Sequence, residues 1–439
     1  MRDSFWQDLK YAARGLRRQP GFTAAVILTL ALGIGANAAM FAIVDRMLFR
    51  PPPMLIDPGT AHRIYFYQSF RGKERASGGY QYARYVDLST LTSSFSRTAG
   101  YTERKLAVGV GDAARDMQIG VVSASFFGFF DAPPLLGRYF TAAEDSTPAG
   151  SPVAVLAYAL WETIYGSKRD VLGSKIQIGP TIFTIIGGAP KGFVGLWPDQ
   201  PPTAFIPITN YAATSGNSFK QLWWKTYNWG WMSMMARRKP GVTIAAANSD
   251  LTRAGQTSYR KQLIDSPRNS PLEIAKPHAV AASILSERGP DESSLAKVAT
   301  WVGGVSVIVL LIACANVANL LLARAIRRRR EIAVRLALGV SRTRLLSQLF
   351  TESIVLAVFG GIAGMLIAQS GGALLRARLL PNMKGGDAVY HDGRTLLFAG
   401  AAAVVVGLLT GLAPVIQATR SDLTGDLKAG SREGTYHRS

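Results

Sequence analysis

The chain has 439 residues, a net charge of +21, 48% hydrophobic residues and one cysteine. A single cysteine excludes a disulfide within the chain, and the sequence contains no HExxH, CxxC or P-loop pattern. Its four histidines are scattered without metal-ligand spacing. No nucleophile, acid/base pair or metal cluster emerges, so we predict that the chain is not an enzyme and binds no cofactor.

The N-terminal segment predicts two consecutive elements, an amphipathic helix and a membrane span. Residues 1–21 have helical periodicity, with apolar residues on one side and basic residues off it, which predicts an amphipathic helix in the membrane interface. Residues 22–45 are apolar and long enough to cross a bilayer. A cleavable signal peptide is the alternative, with Ala36-Asn37-Ala38 as the cleavage site. We favour a retained span, because the apolar run continues to Val44, too far for a signal peptide.

Residues 46–297 contain no run long enough to span a membrane, and they predict a separate domain. Short alternating or aromatic-rich segments are separated by Gly/Pro turns, which is typical of strands. The predicted strands are 63–68, 117–122, 153–156, 175–178 and 181–186, and the predicted helices are 81–91, 158–165 and 244–263. This mixture indicates an α+β domain with its own core.

Four tryptophans lie close together in this domain, at positions 223, 224, 229 and 231. Packing in a core or at a membrane interface is the usual role of such a cluster. A ligand-binding surface is the alternative, because exposed aromatic residues favour contacts.

Three further apolar segments predict spans at residues 298–323, 351–375 and 395–418. Asn316 and Asn319 lie three apart on one face of the second span, where amides normally bond a neighbouring helix rather than a substrate. The third span carries small residues at a spacing that lets helices approach closely, and so does the fourth. These helix-packing candidates are Gly360, Gly364, Gly407 and Gly411.

The loop between the second and third spans, residues 324–350, is rich in arginine. Arginines are enriched on the cytoplasmic side of spans, so this loop is predicted to be cytoplasmic. Nucleic-acid binding is disfavoured, since arginines beside a membrane exit are expected without it. From Glu331 onward, apolar residues recur at helical spacing, which predicts a short amphipathic helix available to a partner.

The topology follows from that loop. The predicted fold class is an integral membrane α-helical protein with four transmembrane helices and a large extracytoplasmic α+β domain. Residues 46–297 and a short loop at 376–394 are external, whereas the N-terminus and the tail at 419–439 are cytoplasmic. The predicted location is the inner (cytoplasmic) membrane.

Several stretches resemble one family. Residues 331–341 read EIAVRLALGVS and look like the E-I-x-x-R-x-A-L-G-A-S signature of MacB/FtsX-type ABC transporter permeases. Residues 313–324 and 8–14 resemble the duplicated orphan permeases of that superfamily. The MacB-type periplasmic core domain is matched by residues 152–156 with Trp161, by 171–173 and by 239–242.

This resemblance implies a permease subunit that couples ATP hydrolysis on a separate ABC ATPase to movement of the external domain, called mechanotransmission. Export of a peptide, lipid, lipoprotein or toxic small molecule is the implied function. The loop between the second and third spans would be the coupling helix. Its matching positions are Glu331, Arg335, Ala337, Leu338, Gly339 and Ser341. Further implied partners are a second copy or a second permease module, and a periplasmic adaptor.

The sequence departs from the family pattern in two ways. It shows neither the ATPase that the MacB exporter carries nor the second four-span module of the duplicated permeases. A natural single-module permease, a truncated product and a half that pairs with another polypeptide all remain open. Two other functions also remain: a signal transmitter that regulates an external hydrolase or sensor, and an inactive truncated module.

Overall fold

The computed structural model describes residue 14, residues 16–70, 72–77, 79–111, 114–198, 200–216, 222–285 and 294–327, residue 334, and residues 342–379 and 392–420. The chain forms two compact units. One comprises residues 1–46 and 297–439 and is called the membrane unit here. The other comprises residues 47–296 and is called the sheet domain. Each is described by itself.

Four long helices build the described part of the membrane unit. They are α1 (Pro20–Leu48), α7 (Ser294–Arg327), α8 (Arg342–Leu379) and α9 (Gly393–Arg420). Each contains a segment long and apolar enough to cross a membrane: Pro20–Ala42, Thr300–Arg324, Phe350–Gln369 and Gly393–Gly411. The chain is therefore a multi-pass membrane protein. Proline is the first residue of α1, where its missing N–H leaves no helical bond unmade.

The helices are longer than the apolar runs. α7 continues to Arg327 and α8 already begins at Arg342, so both extend into the loop predicted at 324–350. α8 likewise ends at Leu379, inside the predicted external loop at 376–394. Polar and charged residues sustain an α-helix in water, so hydropathy alone understates helix length.

The core of the membrane unit is built from small and aliphatic side chains. Val26, Leu30 and Ile34 of α1 are buried together with Val317 of α7, Leu356 of α8 and residues of α9. Leu16 is buried in the same cluster. The other residues of the amphipathic helix predicted at 1–21 lie largely outside the described residues.

The sheet domain is organised around one mixed β-sheet. In the described residues its strands are β1 (Ala61–Phe70), β2 (Lys73–Ser77), β3 (Phe95–Val108), β4 (Arg115–Val122), β5 (Leu136–Gly137), β6 (Val153–Leu156), β7 (Lys175–Ile178), β8 (Thr181–Gly188), β9 (Ala204–Pro207), β10 (Ser233–Arg238) and β11 (His278–Ser283). The strand order is β11-β1-β10-β3-β4-β9-β6-β8-β5, with β2 paired to β1 and β7 paired to β3 and β8.

Most strand pairs are antiparallel, and β3 with β4 forms the longest hairpin, in register from Tyr101 opposite Val122 to Val108 opposite Arg115. Two pairs are parallel, β4 with β9 and β6 with β8. Parallel neighbours need a crossover connection, so the chain leaves the sheet between them. The helices outside the membrane unit are α2 (Tyr82–Leu91), α3 (Tyr158–Thr163), α4 (Ile208–Thr214), α5 (Ile244–Asp265) and α6 (Leu272–Ala275).

Two hydrophobic cores fill the sheet domain. The larger one contains Ile119, Ile185 and Leu251, among others. The second is dominated by aromatic rings, with Phe126 and Phe205 fully buried. The predicted α+β class is confirmed. Strands predicted at 153–156 and 175–178 have the predicted bounds, whereas β3 was not predicted at all.

Candidate coupling site at the base of the loop between α7 and α8

The predicted coupling residues lie almost wholly outside the described residues. Glu331, Arg335, Ala337, Leu338, Gly339 and Ser341 are all among those not described. Val334 is the one described position in this stretch; it is helical and its side chain is 58% exposed. The coupling role of this segment therefore stays a prediction, and the described site is the base from which the loop emerges.

An ion pair connects α7 and α8 at the base of the loop. Nη1 of Arg324, in the last turns of α7, bonds Oε1 of Glu352 in α8. Both side chains are largely shielded from solvent, at 7% and 14% exposed. The guanidinium carbon also lies 4.7 Å from the centre of the Phe22 ring in α1. One arginine therefore joins three helices where the loop leaves and re-enters the membrane unit.

The position of Arg324 suits its helix. Arg324 lies near the C-terminus of α7, where the partial negative charge of the helix end favours a cation. A planar guanidinium can bond a carboxylate and stack on an aromatic ring at the same time. Lysine has neither several N–H donors in one plane nor a flat face that can stack on a ring, so arginine suits this position.

This ion pair was not predicted from the sequence, although the distribution of acidic residues pointed to Glu352. Glu352 is the only acidic residue between Glu331 and Asp387, a stretch that carries several arginines. A lone carboxylate at the end of an apolar span indicates a cationic partner. Which arginine it meets depends on helix rotation, which the sequence pattern does not give.

Glycines lie at the closest helix contacts of the membrane unit. A methyl group at Gly364 of α8 would lie 2.7 Å from the carbonyl oxygen of Ala31 and 2.9 Å from the backbone nitrogen of Gly35, both in α1. One at Gly360 would lie 2.5 Å from Cβ of Leu30. Only glycine allows this approach of α1 to α8.

The contact between α8 and α9 is similar but looser. A methyl group at Gly407 would lie 3.2 Å from Cα of Ile354 and 3.3 Å from Cβ of Ala357. One at Gly411 would lie 2.8 Å from Cδ1 of Phe350. All four glycines singled out in the sequence therefore face a neighbouring helix.

Polar side chains also connect the helices. Asn37 of α1, 3% exposed, donates to the carbonyl oxygen of Ser306 in α7 at 2.9 Å and accepts from the Ser306 hydroxyl at 2.7 Å. Asp45, near the C-terminal end of α1, pairs with Nη1 of Arg394, at the start of α9, at 3.3 Å. In a membrane such bonds hold helices together where the hydrophobic effect does not.

Asn316 and Asn319, the polar candidates of the second span, lie in α7. Both are exposed, whereas Ala313, Val317 and Leu321 of the same helix are buried. Within the described part of the chain, neither amide has a recorded hydrogen-bond partner. Their predicted bond to a neighbouring helix stays a prediction.

In the sheet domain, a cavity of about 680 Å³ opens between α2 and α5, beside the tryptophan cluster. In its wall, the Asp87 carboxylate accepts from Tyr227 Oη at 2.5 Å, Ser258 Oγ at 2.8 Å and Lys261 Nζ at 2.5 Å. Burial raises the pKa of the Tyr227 hydroxyl.

Two members of that cluster, Trp223 and Trp231, are buried in the larger core, and Trp224 and Trp229 pack against it. Core packing is thus the main role of the cluster. Among the described residues, no group of three or more His, Cys, Asp or Glu side chains is placed to hold a metal ion.

Two protein-family models match the chain. The MacB-like periplasmic core domain matches residues 23–254, more than half of the chain, and the FtsX-like permease C-terminal model matches residues 303–423. The second match includes α8, the loop before it and Arg324.

Curated relatives are exporters that contain both an ATP-binding and a permease part. The pyoverdine export ATP-binding/permease protein PvdT of Pseudomonas savastanoi pv. phaseolicola is 26% identical over 71% of this chain and 43% of its own length. The macrolide export ATP-binding/permease protein MacB of Rhodospirillum rubrum is 26% identical over 96% of this chain and 60% of its own. The chain thus spans about half the length of the curated relatives it matches.

Among solved structures, the periplasmic region of MacB from Actinobacillus actinomycetemcomitans is 15% identical, with a TM-score of 0.36, covering 52% of this chain and 99% of that one. The extracellular domain of the noncanonic ABC-type transporter YknZ from Gram-positive bacteria is 9% identical, with a TM-score of 0.36, over 50% and 98%. On the family-model matches, the chain belongs to the MacB/FtsX-type ABC transporter permeases.

Proposed function

We propose that this permease transmits movement from a separate ABC ATPase, docked on the loop between α7 and α8, to the sheet domain outside the membrane. Export of a peptide, lipid, lipoprotein or toxic small molecule is the function this movement serves. The observation that carries the proposal is the joint at the base of that loop, where Arg324 holds Glu352 and stacks on Phe22.

The contacts of Arg324 with Glu352 and Phe22 define which helices move when the loop is displaced. Because the ion pair connects the last turns of α7 to Glu352, about three turns into α8, displacement of the loop moves both helices together. The contact of Gly364 with Gly35 then passes the movement of α8 to α1 without a compressible side chain between the backbones.

Two helices carry the movement onward. In the sequence, α1 leads into the sheet domain and α7 follows it. Asn37 and Ser306 bond these two helices to each other inside the span. A displacement received by either helix is therefore shared by both chain segments that enter and leave the sheet domain.

The proposed topology places the loop and both termini in the cytoplasm and the sheet domain outside the inner membrane. The arginine-rich loop supports it through the bias of cationic residues to the cytoplasmic side. A tag after residue 439 should resist external protease in spheroplasts while residues 47–296 are cleaved; a digested tag with a protected sheet domain reverses the topology.

The proposed partners are a dimeric ABC ATPase and a second permease, either another copy or another module, with an adaptor outside the membrane. The chain should be tagged and purified from native membranes with and without a non-hydrolysable ATP analogue. We expect an ABC ATPase to co-purify and its ATP hydrolysis to depend on the permease.

The coupling segment is tested by Glu331→Lys and Gly339→Leu, each expected to reduce permease-dependent ATP hydrolysis at normal membrane insertion. Arg253→Lys, an exposed change in the sheet domain, is the control and should leave hydrolysis unchanged. Unchanged hydrolysis in both loop variants, or no ATPase in the purified sample with nucleotide present, refutes the coupling role.

A further inference from the structure

The cavity of about 680 Å³ in the sheet domain lies between the start of α2 and the end of α5. Its volume is within the range of about 300–1,000 Å³ that is typical of small-molecule sites. The apolar part of its lining consists of Tyr82, Val86, Trp224 and Ile264. Val86 and Ile264 are 38% and 79% exposed, so a bound molecule would remove apolar surface from water.

Four charged side chains also line the cavity, and they fall into two sets. Lys261 and Asp87 form an ion pair at 2.5 Å. Lys225 and Asp265 are exposed, and within the part of the chain that the structure describes neither side chain has an ion pair or a hydrogen bond. Among these four charges, one cation and one anion are therefore left for a ligand.

The helix ends beside the cavity have the same division of charge. α2 begins at Tyr82 without an acidic residue in its first turn, and Gln81, which precedes it, makes no side-chain bond to the helix. α5 ends at Asp265 without a basic residue in its last turn. A helix carries partial positive charge at its N-terminus and partial negative charge at its C-terminus. An anionic group near Tyr82 and a cationic group near Asp265 would therefore complement both ends.

These charges discriminate between classes of ligand. A ligand with only an acidic group would meet the carboxylate of Asp265, and a ligand with only an amino group would meet the ammonium of Lys225. Like charges brought together reduce affinity. A ligand that carries both groups on an apolar body meets an opposite charge at each end, and the rings of Tyr82 and Trp224 suit its apolar side chains. A short peptide with free termini has this chemistry.

We propose that this cavity binds a short peptide with apolar side chains and free termini, its carboxylate at Lys225 and its ammonium at Asp265. Each residue of an extended peptide adds about 3.3–3.6 Å between the two charges, so the spacing of Lys225 and Asp265 limits the length that binds. The inference deepens the proposed function, because it selects peptides among the export classes. The role of the peptide as exported substrate rests on that function, whereas its binding does not.

Calorimetric titration of the full chain in lipid nanodiscs, without nucleotide, tests the binding. The probe is leucyl-alanyl-phenylalanine, compared with its N-acetylated form, its C-amidated form and the form blocked at both ends. Each single block should weaken binding about 2- to 5-fold, the usual range for an exposed ion pair. Seryl-glycyl-serine has the same charges without apolar side chains and should bind about 10-fold more weakly or worse.

Crossed variants assign each terminus of the peptide to its residue. Lys225→Gln should weaken binding of the free tripeptide and remove the effect of C-amidation, while the effect of N-acetylation remains. Asp265→Asn should remove the effect of N-acetylation and keep that of C-amidation. Lys105→Gln and Asp116→Asn remove the same charges at exposed positions outside the cavity and should leave every affinity unchanged.

Three outcomes overturn the inference. They are no saturable binding of the free tripeptide, equal binding of the doubly blocked form, and equal affinity in the cavity variants and their controls. If Lys225→Gln instead removes the effect of N-acetylation, the proposed orientation of the peptide is wrong.

Co-purification of an ABC ATPase separates this inference from the proposed function. Peptide binding without a recovered ATPase refutes the proposed function and leaves the site intact. Permease-dependent ATP hydrolysis without peptide binding refutes this inference alone.

Discussion

The sheet domain buries large aromatic rings, whereas the membrane unit buries aliphatic and small side chains together with short polar ones. Phe126, Phe129, Phe205 and Trp223 are fully buried in the sheet domain. In the described part of the membrane unit, Gly35 and Gly364 face each other at a close contact between α1 and α8. Water drives large apolar surfaces together, but lipid tails solvate them equally well, so helices in a bilayer associate through close backbone contact and hydrogen bonds. We therefore expect the membrane unit to be destabilised most by added side-chain volume and the sheet domain by lost side-chain volume.

Adding a side chain at the contact between α1 and α8 should have the largest effect on stability. Gly364→Leu drives a side chain into the backbone of α1 and should destabilise the membrane unit by about 3 kcal/mol or more. Gly400→Leu in α9 is the matched control, since nothing lies within 4 Å of a methyl group there. Thermal unfolding in detergent measures both. Equal stability of the two variants contradicts the importance of this contact.

Emptying the core of the sheet domain should have the next largest effect. Ile185→Ala removes a fully buried side chain and should cost about 2–5 kcal/mol. Ile264→Ala makes the same change at a side chain that is 79% exposed and should stay within about 0.5 kcal/mol. Chemical unfolding in detergent compares them, and a similar loss in both would mean that burial does not govern stability here.

Breaking the ion pair between Arg324 and Glu352 should reduce stability less, but it should also change permease-dependent ATP hydrolysis. Arg324→Glu places two carboxylates together and should lose about 1.5–3 kcal/mol, the range for a hydrogen bond to a charged group. Arg324→Glu/Glu352→Arg should recover part of it, but not all, because an acid suits the end of α7 poorly and the contact with Phe22 is lost. Unfolding and permease-dependent ATP hydrolysis are both measured. No recovery in the double variant argues against a direct pair.

A pH effect in the sheet domain should be the smallest. Burial raises the pKa of Asp145 to about 6, although its carboxylate accepts from Ala124 N at 2.9 Å and Thr209 Oγ1 at 2.8 Å. A raised acid pKa means that the folded state holds a proton the unfolded chain has released. This stabilisation is full below about pH 4 and is lost as the pH rises through about 6.

Thermal unfolding of the wild type and Asp145→Asn between pH 4 and pH 8 measures this effect. The stability of the wild type should fall relative to the variant as the pH rises through that window. Parallel pH profiles would show that Asp145 is not the titrating group.

Much of the membrane unit could be predicted because length and hydropathy decide whether a helix can cross a bilayer. The glycines at 360, 364, 407 and 411 were also identifiable from spacing alone. The partners of those glycines, and the pairing of Arg324 with Glu352, could not be predicted. They depend on the rotation of each helix, and an apolar helix has no amphipathic pattern to reveal it.

The sheet domain shows the same division. Short strands bounded by Gly/Pro turns, such as β6 and β7, could be read from the sequence. β3, with arginine, lysine and serine along its length, could not, because its neighbours β4 and β10 stabilise it more than its own composition does.

The bond between Asn37 and Ser306 joins residues 269 positions apart in the chain. At a synthesis rate of about 5–20 residues per second, roughly 13–54 s pass between the emergence of these two residues from the ribosome. During that time the Asn37 amide has only the Gly33 carbonyl of its own helix, to which it donates at 2.9 Å. Biogenesis of this permease therefore includes an interval in which α1 is complete but is not yet bonded to α7.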